Sequence, residues 1–211
     1  MLPDYVKGVI QIGANTGDEL GTFLTKTNKI LCFEPIEEAL DILRNRVNQN
    51  NLQDKVIISD YIVSDKTGEI EFYVGQQSGN SSMFDLNPDR PQFHLGNVHD
   101  KKVFKNSITL DDFFVQNKIK SEDYNFIFMD VQGAEHLVLL GAKETLKNID
   151  HIYMEVSYFP VYLNTLLYDE MVTLCDQLGY EVIYHQASPY NQNQGDALFR
   201  KKGFLQWTLL I

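Results

Sequence analysis

A turn rich in glycine follows the first apolar run of the sequence. Residues 5–12 are predicted to form a strand, and Gly13-Ala14-Asn15-Thr16-Gly17 comes directly after it. Glycines at such a point let the backbone turn sharply and let a ligand approach the N-terminal end of the next helix. Strand-to-helix turns with glycine are common, so the turn alone is only a weak indication of a cofactor site.

An acidic residue ends the second predicted strand. Residues 29–33 lead into Glu34-Pro35. A carboxylate about twenty residues beyond a glycine turn can accept hydrogen bonds from both hydroxyls of a ribose. Pro35 restrains the backbone beside Glu34 because its ring fixes φ. A solvated glutamate is the alternative, but spacing and position together favour a ribose-binding residue.

The turn and the acid are compatible with either NAD(H) or S-adenosylmethionine (SAM). Asn15 stands where a dinucleotide site would have a second glycine against the phosphates. SAM has no pyrophosphate and needs no such glycine. The predicted elements also end in a pair of strands, as in methyltransferases, so SAM is favoured.

Three carboxylates at the later strands are the candidates for catalysis. Asp130 follows the strand predicted at residues 124–129, and Glu135 stands near the start of the next helix. Glu155 lies within the strand predicted at residues 152–156. Methyl transfer to a hydroxyl requires that the acceptor be positioned and its proton removed. The alternatives are an N-cap role for Asp130 and a helix-dipole contact for Glu135. Glu155 lies between apolar neighbours and would need a partner or a raised pKa.

Strands and helices alternate over most of the chain. Further strands are predicted at 56–63, 69–74, 124–129, 152–156, 181–185 and 197–201. Helices are predicted after Gly17, over 36–47, from Thr109 as N-cap, from about Ala134, and over 167–178 with Gly179 as C-cap. The pattern predicts a Rossmann-like three-layer α/β/α sandwich, with a mostly parallel seven-stranded sheet and a reversed last strand. Its ligands should bind beyond the carboxyl ends of the strands.

The pattern weakens over residues 75–106, which are rich in Gly, Ser, Asn and Pro. We interpret this segment as an irregular lid or acceptor-binding region within one domain of residues 1–211. Ser82 and His94 from this segment, and Tyr158 after the fifth strand, are the candidate acceptor-binding residues. Solvated histidines and a core tyrosine are the alternatives.

Composition narrows the classes of partner and compartment. The 211 residues include 29 acidic and 18 basic side chains, giving a net charge of −11, which disfavours nucleic acid as a substrate. No apolar run is long enough for a membrane helix, and no signal peptide is visible. Cys32 and Cys175 are expected to be buried free thiols, which favours the cytoplasm. No metal-binding motif emerges, although an ion bridging Asp130 and the acceptor stays open.

The motifs together resemble those of the FkbM-type methyltransferase family, a branch of the class I SAM-dependent enzymes. They occur in family order over about residues 8–202, and each is modest by itself: residues 12–17, 33–35, 63–68, 72–74, 81–82, 109–112, 129–135 and 154–156. The resemblance implies SAM as cofactor and methyl transfer to a hydroxyl oxygen of a sugar, glycan or other small metabolite. The cofactor-binding residues expected from it are Gly13, Ala14, Asn15, Gly17, Glu34, Pro35, Ile62 and Asp130.

Two positions depart from the family pattern. Gln11 stands where the family usually has an acid, and Gln132 stands where it usually has Glu. The first change removes a charge near the amino group of the cofactor. Two other functions remain open: a SAM-binding module without catalysis, and a nucleotide or RNA ribose methyltransferase. The apolar tail over residues 204–211 also suggests a homo-oligomer.

Overall fold

The fold is seen in a computed structural model that describes residues 2–90, 98–190 and 193–204. His94 and residues 205–211 lie outside these ranges, so the acceptor contact and the tail-mediated oligomer stay predictions. The elements in chain order are β1 (Val9–Ile12), α1 (Leu20–Phe23), β2 (Ile30–Phe33), α2 (Glu37–Gln49), β3 (Val56–Ser59), β4 (Ile62–Val63), β5 (Gly68–Gly75), β6 (His99–Ile108), α3 (Leu110–Asn117), β7 (Phe126–Met129), α4 (Glu135–Leu140), β8 (His151–Ser157), α5 (Tyr168–Gln177), β9 (Tyr180–Ala187) and β10 (Gln194–Lys201).

A seven-stranded sheet has the order β3-β2-β1-β7-β8-β10-β9. The pairs from β3 through β8 are parallel. β10 runs antiparallel to both of its neighbours, β8 and β9. The predicted sheet is therefore confirmed, and the reversed last strand lies inside the sheet, one position from its edge.

Alternation along the central strands separates two apolar layers. Ile10 and Ile12 of β1 belong to a cluster that includes side chains of α3, α4 and α5. Val9 of β1 belongs to a second cluster with side chains of α1 and α2. Because successive residues of a strand point to opposite faces, helices cover both sides of the sheet, as the sandwich prediction requires.

The prediction of one strand over residues 56–63 is wrong. β3 ends at Ser59, and β4 belongs to a separate three-stranded sheet with the order β4-β6-β5. The chain leaves the main sheet at Asp60 and Tyr61, and the Ser59 carbonyl accepts a hydrogen bond from the Glu34 N–H, 3.0 Å away. Apolar residues on both sides of Ser59 and Asp60 hid this change of sheet.

The prediction that residues 75–106 lack regular structure is wrong in part. β6 begins at His99 and pairs antiparallel with β5, from Gly68 opposite Ser107 to Gly75 opposite His99. Residues 99–106 are polar except for Val103 and Phe104, and most are exposed, so pairing rather than burial defines this strand. Alternation of apolar side chains therefore could not reveal it.

Helix ends follow the capping chemistry that the sequence predicts. Thr109 caps α3 by accepting a hydrogen bond from the Asp112 N–H. The C-cap of α5 is Leu178, one residue before the predicted Gly179, which follows it with φ +88°. The first helix has four residues.

Cys32 and Cys175 are free and buried, as predicted. Burial raises the pKa of the Cys175 thiol to about 12, so the thiol stays protonated at neutral pH. None of the helices in the described ranges has the length and apolarity needed to cross a bilayer. The cytoplasmic location stays a prediction.

Candidate active site

A cleft lies beyond the carboxyl ends of β1, β2 and β7. Its empty volume is about 930 Å³, including open solvent at its mouth. The cleft is lined by seven of the predicted cofactor-binding residues: Gly13, Ala14, Asn15, Glu34, Pro35, Ile62 and Asp130.

The glycine turn brings the ends of β1 and β7 into contact. Gly13 has φ +80°, and a Cβ atom there would lie 2.0 Å from the backbone oxygen of Asp130. The Asp130 N–H in turn donates to the Ile12 carbonyl, 3.1 Å away. Only a residue without a side chain allows this approach.

Gly17 has a packing role behind the cleft. It has φ +77°, and a Cβ atom there would lie 2.5 Å from Leu43 Cδ1 of α2. Gly17 is absent from the cleft lining in the described structure. Its predicted contact with the cofactor therefore stays a prediction, whereas its contact with α2 is observed.

Backbone donors hold both carboxylate oxygens of Glu34. Oε2 accepts from the Asn15 N–H at 2.7 Å, and Oε1 accepts from the Ile36 N–H at 2.8 Å. Burial raises the pKa of Glu34, while these two donors and the Lys105 ammonium act in the opposite direction. Each carboxylate oxygen has two lone-pair sites, so Glu34 keeps acceptor capacity toward the cleft.

The segment after β5 contacts the glycine turn. Ser78 Oγ donates to Asn15 Oδ1 at 3.0 Å, and Ser78, Ser81 and Met83 line the cleft. Tyr73 and Ser82 exchange backbone hydrogen bonds of 2.8 and 3.0 Å. This segment therefore forms part of the cleft wall.

Asp130 lies at the end of β7, on the cleft surface. Its Oδ1 accepts from Gln132 Nε2 at 2.6 Å. Its side chain is exposed to solvent, yet the concave wall surrounds it with protein atoms. The resulting desolvation raises its pKa, and the charges of Asp196 and Glu19 act in the same direction. The N-cap of α4 is Ala134, so Asp130 does not cap that helix.

Glu135 is buried in the first turn of α4, with 4% of its surface exposed. Its Oε1 accepts from the N–H groups of Val131 and Gly133, at 3.1 and 3.3 Å. Burial raises its pKa to about 7, and the charge of Asp130 contributes to the shift. Glu135 thus holds the backbone between β7 and α4 from inside and is not part of the cleft lining in the described residues.

Asp130, Glu155 and Asp196 form a row of acids across the sheet. Met129 pairs with Met154, so Asp130 and Glu155 follow at adjacent register positions. On the other side, Asp196 of β10 pairs with Glu155. Gln194 Nε2 donates to Glu155 Oε2 at 2.6 Å. Burial raises the pKa of Glu155 well above its usual value, and the charges of Asp130, Glu135 and Asp196 add to the shift.

Ser82 and Tyr158, two of the predicted acceptor-binding residues, lie in different surroundings. Ser82 is fully buried, and its Oγ donates to the Gln132 carbonyl at 2.8 Å. Tyr158 lines a separate shallow depression with His185 and Pro189. Neither residue belongs to the lining of the main cleft in the described structure, so their contact with an acceptor stays a prediction.

Two functional candidates escaped the sequence analysis. Glu19 lines the cleft and contacts Gln11, and its place two residues after the glycine turn could have drawn attention to it. Asp196 joins the acid row only through the antiparallel register of β10 with β8. No local motif indicates that register.

Comparison with known proteins defines the family. A model of the methyltransferase FkbM domain matches residues 11–182. The 2-O-methyltransferase NoeI of Sinorhizobium fredii is 34% identical over 163 residues, which cover 74% of this chain and 64% of NoeI. The chain therefore belongs to the FkbM methyltransferase family, as its motifs indicated.

Solved structures share the fold. Methyltransferase FkbM from Methylobacillus flagellatus KT superposes with a TM-score of 0.60 at 15% identity, covering 94% of this chain and 44% of that chain. Magnesium protoporphyrin IX methyltransferase from Synechocystis PCC 6803, solved with bound SAM, gives 0.53 at 5% identity, with coverage of 94% and 71%. The chain thus spans about two thirds of NoeI and less than half of the Methylobacillus protein.

Proposed function

We propose that this chain is a SAM-dependent O-methyltransferase whose acceptor is a hydroxyl of a sugar, glycan or other small metabolite. The observation that carries the proposal is Glu34, which lines the cleft while backbone N–H groups hold both of its oxygens. Membership of the FkbM methyltransferase family supports the class of reaction.

The residues of the cleft fit the cofactor. Glu34 can accept hydrogen bonds from the ribose hydroxyls, and its fixed carboxylate needs no rearrangement to do so. Ile62, Phe72 and Met83 supply apolar surface beside it, which suits an adenine ring. The Synechocystis enzyme of similar fold was solved with SAM, which agrees with this choice over NAD(H).

Bound SAM supplies an electrophilic methyl group on a sulfonium. We assign proton removal from the acceptor hydroxyl to Asp130, because its carboxylate is exposed at the cleft. Its raised pKa makes it a stronger base than an ordinary aspartate. With SAM bound, Asp130 would take up the proton that the acceptor hydroxyl releases as its oxygen is methylated.

The other two predicted catalytic acids act around Asp130 in this proposal. Glu155 lies at the adjacent register position, and the charge of Asp130 helps to raise its pKa. Glu135 holds the N–H groups of Val131 and Gly133 and so positions the backbone next to Asp130.

Charge and one relative support the acceptor class. A net charge of −11 opposes binding to a polyanion, so we favour a small or glycan-linked hydroxyl over RNA. NoeI is a 2-O-methyltransferase, which agrees with oxygen as the methylated atom.

The test begins with calorimetry of the purified chain against SAM, S-adenosylhomocysteine and NADH. We expect stoichiometric binding of the first two. Binding of NADH alone would contradict the proposal. Incubation with SAM labelled in its methyl group and a panel of hydroxylated sugars should then give labelled methyl ethers. Donor binding without transfer to any acceptor would favour the non-catalytic module, and transfer to RNA would favour the ribose methyltransferase.

A further inference from the structure

A buried amide lies beside the glycine turn. Gln11 in β1 has no exposed surface. Its Nε2 donates to Glu19 Oε2 at 2.8 Å, and its Oε1 accepts from Cys32 Sγ at 3.6 Å. Because a thiol can donate here and a carboxylate can only accept, these two neighbours fix which way the amide points. Gln11 therefore directs its N–H group at Glu19.

The carboxylate that accepts from Gln11 belongs to Glu19 and lies at the cleft. It precedes α1, is partly exposed and belongs to the cleft lining. Among the described residues no basic side chain forms an ion pair with it. By contrast, Asp18 pairs with Arg46, with Oδ1 and Nη2 2.7 Å apart. Glu19 thus presents a negative charge to the cleft that the protein itself does not neutralise.

A second acid at position 11 would not be compatible with this arrangement. A carboxylate there would approach Glu19 in a buried setting, where repulsion between like charges is strong. The neutral amide removes that repulsion and supplies a donor. Gln11 and Glu19 form a unit in which one residue holds the other toward the cleft.

We propose that Glu19, positioned by Gln11, binds the ammonium group at the amino-acid end of the methyl donor. The inference rests on the proposed function, since it assigns the second end of the same ligand whose ribose is assigned to Glu34. An ammonium is a strong match for a carboxylate that lacks a basic partner. The departure at position 11 is then a relocation of the acid, from the strand to the residue before α1.

The experiment compares two ligands that differ at the amino-acid end. S-adenosylhomocysteine carries the ammonium, whereas 5′-methylthioadenosine keeps the adenosine and lacks the amino-acid group. Calorimetry of Glu19→Gln should show roughly 10- to 150-fold weaker binding of S-adenosylhomocysteine, the range expected for a hydrogen bond to a charged group. Binding of 5′-methylthioadenosine should change by less than about twofold, because its contacts do not involve Glu19.

Two further variants complete the design. Asp18→Asn removes the same charge one residue away from an acid already paired with Arg46, and it should leave the affinity for both ligands nearly unchanged. Gln11→Met keeps the volume but removes the donor, so it should reproduce part of the loss, again only for S-adenosylhomocysteine. Thermal unfolding of each variant verifies that it is folded.

The outcomes separate this inference from the proposed function. Equal losses for both ligands in Glu19→Gln, or an equal loss in Asp18→Asn, would overturn the role of Glu19 while leaving the cofactor assignment standing. If the unaltered protein binds neither ligand, the proposed function itself fails.

Discussion

Two groups of acidic residues lie at the same edge of the sheet, and they differ in the groups that surround their carboxylates. At β1 and β2, Glu34 receives two backbone N–H groups and lies near Lys105. At β7, β8 and β10, the acids Asp130, Glu155 and Asp196 occupy adjacent register positions. The charge of Asp196 helps to raise the pKa of Asp130, and the charges of both help to raise the pKa of Glu155.

The difference shows two ways of keeping a carboxylate in a concave site. Two backbone donors and the Lys105 ammonium oppose the desolvation that raises the pKa of Glu34, so the position of this carboxylate is fixed in advance. The acid row depends on amide donors, such as Gln132 and Gln194, and on protons. Its charge can therefore respond to solution conditions and to a bound cation, as a region that handles a proton requires.

The largest loss of stability is expected from a substitution at Gly13, where the two regions touch. Gly13→Ala should reduce the free energy of unfolding by about 3 kcal/mol or more, because the new Cβ combines a positive φ with a backbone clash. That Cβ would lie 2.0 Å from the Asp130 oxygen. Denaturant unfolding measures the change.

Gly21→Ala is the matched control for this variant. Nothing lies within 4 Å of a Cβ at Gly21, and alanine is favoured in a helix. Its stability should be equal to or slightly above that of the unaltered protein. An unchanged stability in Gly13→Ala would show that the β1 and β7 ends can separate.

The second expected effect is a pH dependence of the free energy of unfolding, which arises from Glu135 beside the acid row. The pKa of Glu135 rises from 4.5 to about 7 on folding. Between those values the folded state holds a proton that the unfolded state has released, so stability falls as pH rises through this window. The loss should reach up to about 3 kcal/mol above pH 7.

Glu135→Gln should remove this component, because a neutral amide oxygen can still accept from Val131 and Gly133. Denaturant unfolding from pH 4.5 to 8 should show equal stability at the acid end and a more stable variant at the alkaline end. Glu38→Gln, an exposed acid of α2, should follow the unaltered protein. A variant curve parallel to that of the parent would contradict the raised pKa.

The smallest of the three effects concerns the organised region. Glu34→Ala should weaken binding of S-adenosylhomocysteine by about 1–3 kcal/mol, the cost of leaving polar partners unpaired. Calorimetry measures the loss, with Glu38→Ala as the surface control. Unchanged affinity would remove the ribose assignment. An affinity that varies with pH in the parent but not in Glu135→Gln would link the two regions.

Local patterns predicted the organised region well and the acid row only in part. Gly13 and Glu34 could be found because a turn and a strand end are contiguous in sequence, and the parallel sheet brings such ends together. Asp196 could not be found, since its place depends on the register of β10 against β8. The lysine-rich strand β6 was missed because cross-strand pairing with β5 stabilises it without burying an alternating apolar face.

The position of the reversed strand has a consequence for the order of folding. Within the part of the chain that the structure describes, β9 joins the main sheet only through β10, which follows it in the chain. During synthesis the N-terminal strands emerge first, so the glycine turn and Glu34 can assemble while β9 still has no partner in that sheet. Asp196 arrives with the insertion of β10 between β8 and β9. The acid row is therefore completed only when β10 joins the sheet, after the side of the cleft around Glu34 has been able to form.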